Sequence, residues 1–428
     1  MNKALYLFAA IIFAAVSNMS AQMQSPVINI DNSVTFNYYN PDADEVIIKG
    51  SIAPSYKILG LINKDGKLEM QRKGGYWTYT TKPLPSELYT YRFEVEADDD
   101  FVTIDPLNKS VVRDVADSLS YFIIPGGIGD DYMDQDVAHG KIEKVWYPST
   151  LNGMSKRRMS IYLPADYTLS DSQKYPVLYL LHGSGGDEED WLDNGRAGQI
   201  LDNLIASGRC RPMIVVMPNG NVDIAAAPGQ DPDNPDIQPS GDNKSSMLGK
   251  FEAVFIDEIV NYIDSNYRTI PKKEQRAIAG LSMGGFHTKY ISLNYPDYFD
   301  YIGLFSALPT NLYQDNTKSI RSLKDAWKSL KKEIIGSSEV DGTPAKANTL
   351  NPETIYDDED SKLKKQFSNA PKLYYVAIGK DDFLKQLNDE YRHKLTGQGY
   401  VYEYVESEGG HTWDNWRKYL VDFLPRIF

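Results

Sequence analysis

The chain has 428 residues, 42% hydrophobic and 24% charged, with a formal net charge of −14. That length exceeds the usual size of one hydrophobic core, so two domains are expected, and the composition is that of an ordinary globular protein without extensive low-complexity disorder. The acidity argues against a polyanionic partner such as nucleic acid, whose binding relies on Lys and Arg neutralising phosphates, and leaves neutral or cationic ligands open.

The N-terminus reads MNKALYLFAAIIFAAVSNMSAQ, with basic Lys3, an apolar run from Ala4 to Val16 and small residues up to Ala21. This is the pattern of a cleavable secretory signal over residues 1–21, too short to span a bilayer as a helix, and it places the expected product outside the cytoplasm, secreted or periplasmic. No later run is apolar for long enough to cross a membrane. Cys210 is the single cysteine, so no intramolecular disulfide is possible, and no cysteine follows the signal to carry a lipid.

Residues 25–125 are strand-like. VTFNYY (34–39), EVIIKG (45–50), YWTYTT (76–81) and LYTYRFEV (88–95) are β-branched or aromatic, and Tyr89, Tyr91, Phe93 and Val95 alternate with polar neighbours. Pro41, Gly66, Gly74-Gly75, Pro83 and Pro85 punctuate them, and no helical period interrupts them, which predicts an all-β, immunoglobulin-like sandwich. PGGIGD (125–130) opens an expected linker over 126–134.

From about residue 135 the pattern changes. YPVLYLLHG (175–183), PMIVVMPNG (212–220), RAIAGLSMGG (276–285), YIGLFSAL (301–308) and KLYYVAIG (372–379) alternate with helical stretches such as FEAVFIDEIVNYIDSNY (251–267). Continuous apolar strands separated by helices predict a mostly parallel sheet covered on both faces, an α/β fold over 135–428. Chemistry in such sheets gathers just past the carboxyl ends of the strands.

Gly280-Leu281-Ser282-Met283-Gly284 satisfies the G-x-S-x-G pattern of a strand-to-helix elbow, where glycines let the turn close and the serine hydroxyl stands above the sheet. A serine hydroxyl needs an adjacent base, and the base an orienting carboxylate. Of five histidines, His139 lies at the domain junction, His182 sits in a turn whose backbone is the expected functional part, His287 follows the serine on the same helix, and His393 lies in the charged run EYRHK. His411, in EGGHTWDNW after the strand-like YVYEYVE, is the base by elimination and position. GKDDFL after KLYYVAIG supplies Asp381 and Asp382; Asp382 is preferred, with Asp381 the alternative. The amides of Met283 and of Gly183, Ser184 or Gly185 in HGSGG, Ser184 preferred, would form the oxyanion hole.

Trp191, Trp413 and Trp416 lie near strand-end loops and are candidates to stack on an aromatic acyl group or a sugar ring, with core packing the alternative for each. The long Pro/Asp/Asn/Gly-rich segment 221–249 is a candidate wall or lid over the acyl pocket. There is no H-E-x-x-H, no Cys/His cluster and no Walker loop, so no metal and no cofactor are expected.

LLHGSGGDEEDWLDNGRAGQILDNLIASG, PMIVVMPNG, AIAGLSMGG, IGKDDFL and GGHTWDNWRKYLVDFLPRIF together resemble carbohydrate esterase family 1, the feruloyl and acetylxylan esterases, and their esterase D-like and siderophore-esterase relatives. The resemblance implies an α/β-hydrolase domain, a catalytic triad of Ser282, Asp382 and His411, and ester-linked groups on plant cell-wall xylan as substrate. Its G-x-x-D pattern favours Asp382 over Asp381. The front region, with SPVINIDNSVTFNYYNPDADEVIIKG, GYWTYTTKPLPSELYTYRFEVEA and IDPLNK, resembles carbohydrate-binding module family 48, although SIAPSYKILGLINKDGKLEMQRK (51–73) interrupts the strand pattern. A catecholate-trilactone (siderophore) esterase and a non-catalytic carbohydrate-binding protein are the competing functions.

Overall fold

The computed structural model describes residues 23–53, 55–58, 62–65, 67–114, 117–169, 172–235, 249–310 and 352–428. The expected signal, residues 1–21, and the 236–248 part of the expected pocket lid lie outside the described residues. The described residues form two compact units: one from within 1–55, 65–111 and 118–124, the other from within 56–64, 112–117 and 125–428. Among the described residues, no helix is long and apolar enough to cross a membrane.

In the first unit, β1 (Val34–Tyr39), β2 (Glu45–Lys49), β3 (Tyr76–Thr80), β4 (Leu88–Glu96) and β5 (Asp117–Ile123) carry the alternation read from the sequence. β1 pairs antiparallel with β3, while β2 and β5 pair antiparallel with β4 in a second sheet. Side chains two apart along each strand share a face, so Val34, Phe36 and Tyr38 turn inward with Val46, Ile48, Tyr91, Phe93 and Phe122. Tyr91 also donates to the fully buried Asp105 at 2.8 Å, which satisfies a carboxylate that apolar surroundings would otherwise penalise.

The second unit is built on an eight-stranded sheet. Its strands are β6 (Lys141–Pro148), β7 (Lys156–Leu163), β8 (Val177–Leu181), β9 (Ile214–Pro218), β10 (Arg276–Leu281), β11 (Tyr301–Phe305), β12 (Leu373–Gly379) and β13 (Glu403–Ser407). The spatial order is β6-β7-β9-β8-β10-β11-β12-β13, antiparallel at the β6 and β7 end and parallel from β9 onward. β8, β9, β10, β11 and β12 are buried along their whole length, which is why they read as unbroken apolar runs rather than alternating ones.

The parallel registers bring the carboxyl ends to one edge. Leu181 faces Gly280, Leu281 faces Phe305, Phe305 faces Ala377, and Gly379 faces Ser407. The segments that leave these strands at His182, Ser282, Lys380 and Glu408 therefore start side by side, though far apart in sequence.

Residues 126–134, expected to be a linker, are packed into the second unit. Tyr132 is fully buried, and the Asn203 side-chain amide on α1 (Ala197–Ala206) donates to the carbonyls of Asp130, Asp131 and Met133. A free linker would leave those carbonyls to water. Here one buried Asn organises the turn.

Candidate active site

β10 ends at Leu281, and α2 (Met283–Asn294) begins two residues later, leaving Ser282 to make the whole turn with φ 53° and ψ −114°. That backbone is strained for a residue with a β-carbon, and strain of about 1–3 kcal/mol persists only where the surroundings impose it. They do: Ser282 N–H donates to Phe305 O at 2.9 Å, and Ser282 O accepts from Phe286 N at 3.1 Å and Leu308 N at 3.3 Å. A β-carbon on Gly284 would lie 2.4 Å from the carbonyl oxygens of Leu181 and His182, and one on Gly280 would lie 2.4 Å from Gly284 O. Only glycines let α2 approach β8 this closely.

His411 lies on the loop between β13 and α5 (Trp413–Phe423). Its Nε2 is 2.9 Å from Ser282 Oγ, and its Nδ1 is 2.9 and 3.0 Å from Asp382 Oδ2 and Oδ1. The Asp382 side chain is fully buried, and its Oδ1 also accepts from Leu384 N at 2.8 Å. An ionised carboxylate can only accept, so Nδ1 carries the imidazole proton and Nε2 is left to accept from the serine hydroxyl. Of the two candidate carboxylates, Asp382 bonds the imidazole, while the Asp381 amide instead closes the turn by donating to Gly409 O at 2.9 Å.

The loop that carries His411 is fixed from below. Asn415 is fully buried and donates through Nδ2 to Gly410 O at 2.9 Å, so one amide on α5 sets the backbone beside the imidazole. Phe383 packs at 4.5 Å between ring centroids on one side of His411, and Trp416 meets it edge-on at 5.0 Å on another. Sequence reasoning missed both Asn415 and Phe383. The run GGHTWDN holds the only local signal for Asn415, a polar residue on the apolar side of the closing helix.

The amide of Met283 opens α2 immediately after Ser282, where a helix presents unpaired N–H groups. The HGSGG turn runs against the serine: a β-carbon on Gly183 would sit 3.5 Å from Ser282 Cβ, and Ser184, half-buried, follows it. Two bonds from the fully enclosed His182 hold this turn. Gly220 N–H donates to its Nε2 at 2.7 Å, and its Nδ1 lies 2.7 Å from Gly183 O. Burial pulls the His182 pKa down to about 4, so the ring is neutral at neutral pH.

The three tryptophans come together but do not play equal parts. Trp191 is 1% exposed, its Nε1–H donates to Leu181 O at 3.0 Å, and it meets Trp413 edge-on at 5.3 Å. It therefore has no ring face for a ligand, which corrects the expectation that it binds substrate; its long apolar body completes the core beneath the turn. Trp416 is 8% exposed and backs His411, whereas Trp413 is only half-buried. Among the other histidines, His287 is fully buried and pairs with Glu252 Oε1 at 2.9 Å, and His139 pairs with Asp202 at 3.0 Å. His393 is exposed on α4 (Lys385–Gly397).

The acidic run after HGSGG is largely withdrawn from water. Burial, reinforced by neighbouring Asp187, pushes Glu188 up to about 7, and burial raises Asp190 well above its ordinary value. Asp187 stays paired with Arg113, of segment 112–117, at 2.8 Å.

The Esterase family model matches residues 152–427. An endo-1,4-beta-xylanase/feruloyl esterase from Xylanibacter ruminicola is 35% identical over 291 residues, which is 66% of this chain and 36% of that protein. An acetyl esterase from Caldicellulosiruptor saccharolyticus is 28% identical over 253 residues, 59% of this chain and 83% of the relative. The chain thus spans about a third of the first relative and most of the second. The solved enterobactin esterase from Shigella flexneri shares the fold, with a TM-score of 0.58 at 15% identity over 92% of each chain. The chain belongs to the esterase family, carboxylic ester hydrolases built on the α/β-hydrolase fold.

Proposed function

We propose that this protein is a secreted serine esterase that removes feruloyl or acetyl groups from xylan through an acyl-enzyme. The observation that carries the reading is the unbroken line from Ser282 Oγ through His411 to the buried Asp382. In the proposed reaction His411 Nε2 takes the Ser282 proton as Oγ attacks the ester carbonyl, and Asp382 stabilises the imidazolium that forms. The amides of Met283 and Ser184 hold the oxyanion. Collapse of the tetrahedral species expels the sugar oxygen with the proton from His411. Water then attacks the acyl-serine with the same base and regenerates the enzyme. Phe383 packs against the imidazole at 4.5 Å between ring centroids, and Trp413 meets Trp416, the other ring that backs His411, at 5.1 Å. The feruloyl and acetyl esterases among the relatives support these two acyl groups, and the N-terminal signal pattern supports export.

A second reading, hydrolysis of a cyclic catecholate triester, draws on the likeness to the enterobactin esterase over 92% of this chain. Wild type and Ser282→Ala are to be compared on methyl ferulate, acetylated xylan and a catecholate trilactone. The proposal expects turnover of the first or second and a loss of at least about 10³-fold in the variant. Turnover of the trilactone alone would replace the xylan reading with the siderophore one. Equal rates for wild type and variant on every ester would end both.

A further inference from the structure

We propose that His182 is a positioning residue for the reaction: its imidazole sets the direction of the oxyanion-binding amide of Ser184. The inference rests on the reading of Ser282 as nucleophile and of the Ser184 amide as an oxyanion donor. It gives a part to a side chain which the sequence suggests is incidental to its turn.

The tautomer comes first. Gly220 N–H donates to His182 Nε2 at 2.7 Å, so Nε2 carries no proton. A neutral imidazole then has its proton on Nδ1, and Nδ1–H donates to Gly183 O at 2.7 Å. Gly183 O belongs to the same planar trans peptide as the Ser184 N–H, and in such a plane the carbonyl and the amide hydrogen point in opposite directions. Holding the carbonyl onto the buried ring therefore turns the Ser184 N–H away from it. The turn passes beside the nucleophile, since a β-carbon on Gly183 would lie 3.5 Å from Ser282 Cβ.

The ring itself has little freedom. It is 2% exposed, and a β-carbon on Gly220 would lie 3.4 Å from Nε2 while one on Gly186 would lie 3.1 Å from Nδ1. Gly186 N–H gives Gly183 O a second, longer bond at 3.3 Å, and Asn221 Nδ2 donates to Gly186 O at 2.6 Å. These bonds close the turn. The 2.7 Å imidazole bond is the shorter of the two that reach the Gly183 carbonyl, and it links the turn after β8 to the turn after β9. An oxyanion hole gains most of its strength from donors that need not reorient during reaction, so a pinned peptide stabilises the tetrahedral species rather than the bound ester.

Two substitutions separate positioning from packing. His182→Asn places an amide N–H near the Nδ1 position and keeps the bond to Gly183 O while losing that from Gly220. His182→Gln places an amide oxygen near the Nε2 position and keeps the Gly220 bond while losing the donor to Gly183. The expected result is a kcat for His182→Gln lower by about 10–100-fold, with KM and the affinity for free ferulate within about twofold of wild type. Affinity for an aryl boronic acid, which forms a tetrahedral adduct on the serine, falls by a similar factor, and His182→Asn stays within about fivefold of wild type in kcat. Equal losses in both variants that follow their melting temperatures, or a wild-type kcat in His182→Gln, would overturn the inference. Should the Gln variant not fold, 15N NMR of histidine-labelled wild type decides: a proton on Nδ1 from pH 6 to 9 supports the inference, and a proton on Nε2 overturns it. If Ser282→Ala hydrolyses esters at the wild-type rate, the underlying reading of the site fails instead, independently of either His182 variant.

Discussion

Ser282 holds a backbone conformation that costs energy, and its neighbours hold it there through its N–H bond to Phe305 O and the bonds its carbonyl accepts from Phe286 and Leu308. The hydroxyl therefore meets His411 without a search, and the burial of Asp382 leaves its carboxylate one imidazole to serve. Asp382→Asn removes the acceptor that keeps the proton on Nδ1, so kcat is expected to fall about 10⁴-fold with KM little changed; steady-state rates on methyl ferulate check this. His182 makes a different statement about pH. Its folded pKa, pulled down to about 4 by burial, lies below the ordinary value of 6.5. The unfolded chain thus takes up a proton first as the pH falls. The stability this ring contributes is present above about pH 6.5 and is lost between there and about pH 4. Urea unfolding of wild type and His182→Asn at pH 7 and pH 4.5 should show the wild-type advantage shrinking at the lower pH.

The strand-to-helix elbow is the element on which the site depends, and it was legible in the sequence because G-x-S-x-G states its own geometry. The Gly284 approach to the β8 carbonyls is backbone against backbone, so Gly284→Ala cannot be absorbed by a rotamer change. It is expected to cost about 3 kcal/mol or more, read as a lowered melting temperature, with activity lost to a greater degree than stability. α2 shows what sequence could not tell. All of its residues from Met283 to Leu293 are buried, including Lys289, whose ammonium bonds Pro309 O at 2.5 Å and Glu359 Oε2 at 2.6 Å on α3 (Glu359–Ser368). A lysine on a helix ordinarily reads as a solvated face, and only tertiary packing closes this one in. Burial alone would raise the Glu359 carboxyl, but Lys289 and Lys394 overcome it and bring it down to about 2; burial lowers the Lys289 ammonium itself. Lys289→Met is expected to destabilise by about 3 kcal/mol, and adding Glu359→Gln should restore part of that loss, measurable by chemical unfolding of the two variants.

Across the whole molecule the eight-stranded sheet does what no local motif can. It brings residues 182, 282, 382 and 411 to one edge, and the parallel registers fix that meeting. The division into a β-rich region and an α/β region was readable from the switch between alternating and continuous apolar runs. Ser282, Asp382 and His411, singled out in that order along the sequence, are the side chains that the hydrogen bonds join. The docked state of residues 126–134 and the burial of Trp191 were not readable, since both depend on partners distant in sequence, Asn203 in one case and Leu181 with Trp413 in the other. The net charge of −14 also acts at this level. Deacetylation of a neutral xylan should be insensitive to salt, whereas esters on a polyanionic glycan should be cleaved faster as added salt screens the repulsion; initial rates at low and physiological ionic strength check both. The most direct test of the central claim is intact-mass analysis after reaction with a fluorophosphonate, followed by peptide mapping. The account predicts one adduct per chain, on Ser282, absent from Ser282→Ala and much slower to form in His411→Ala. An adduct on another residue, or full esterase activity in the labelled protein, would contradict it.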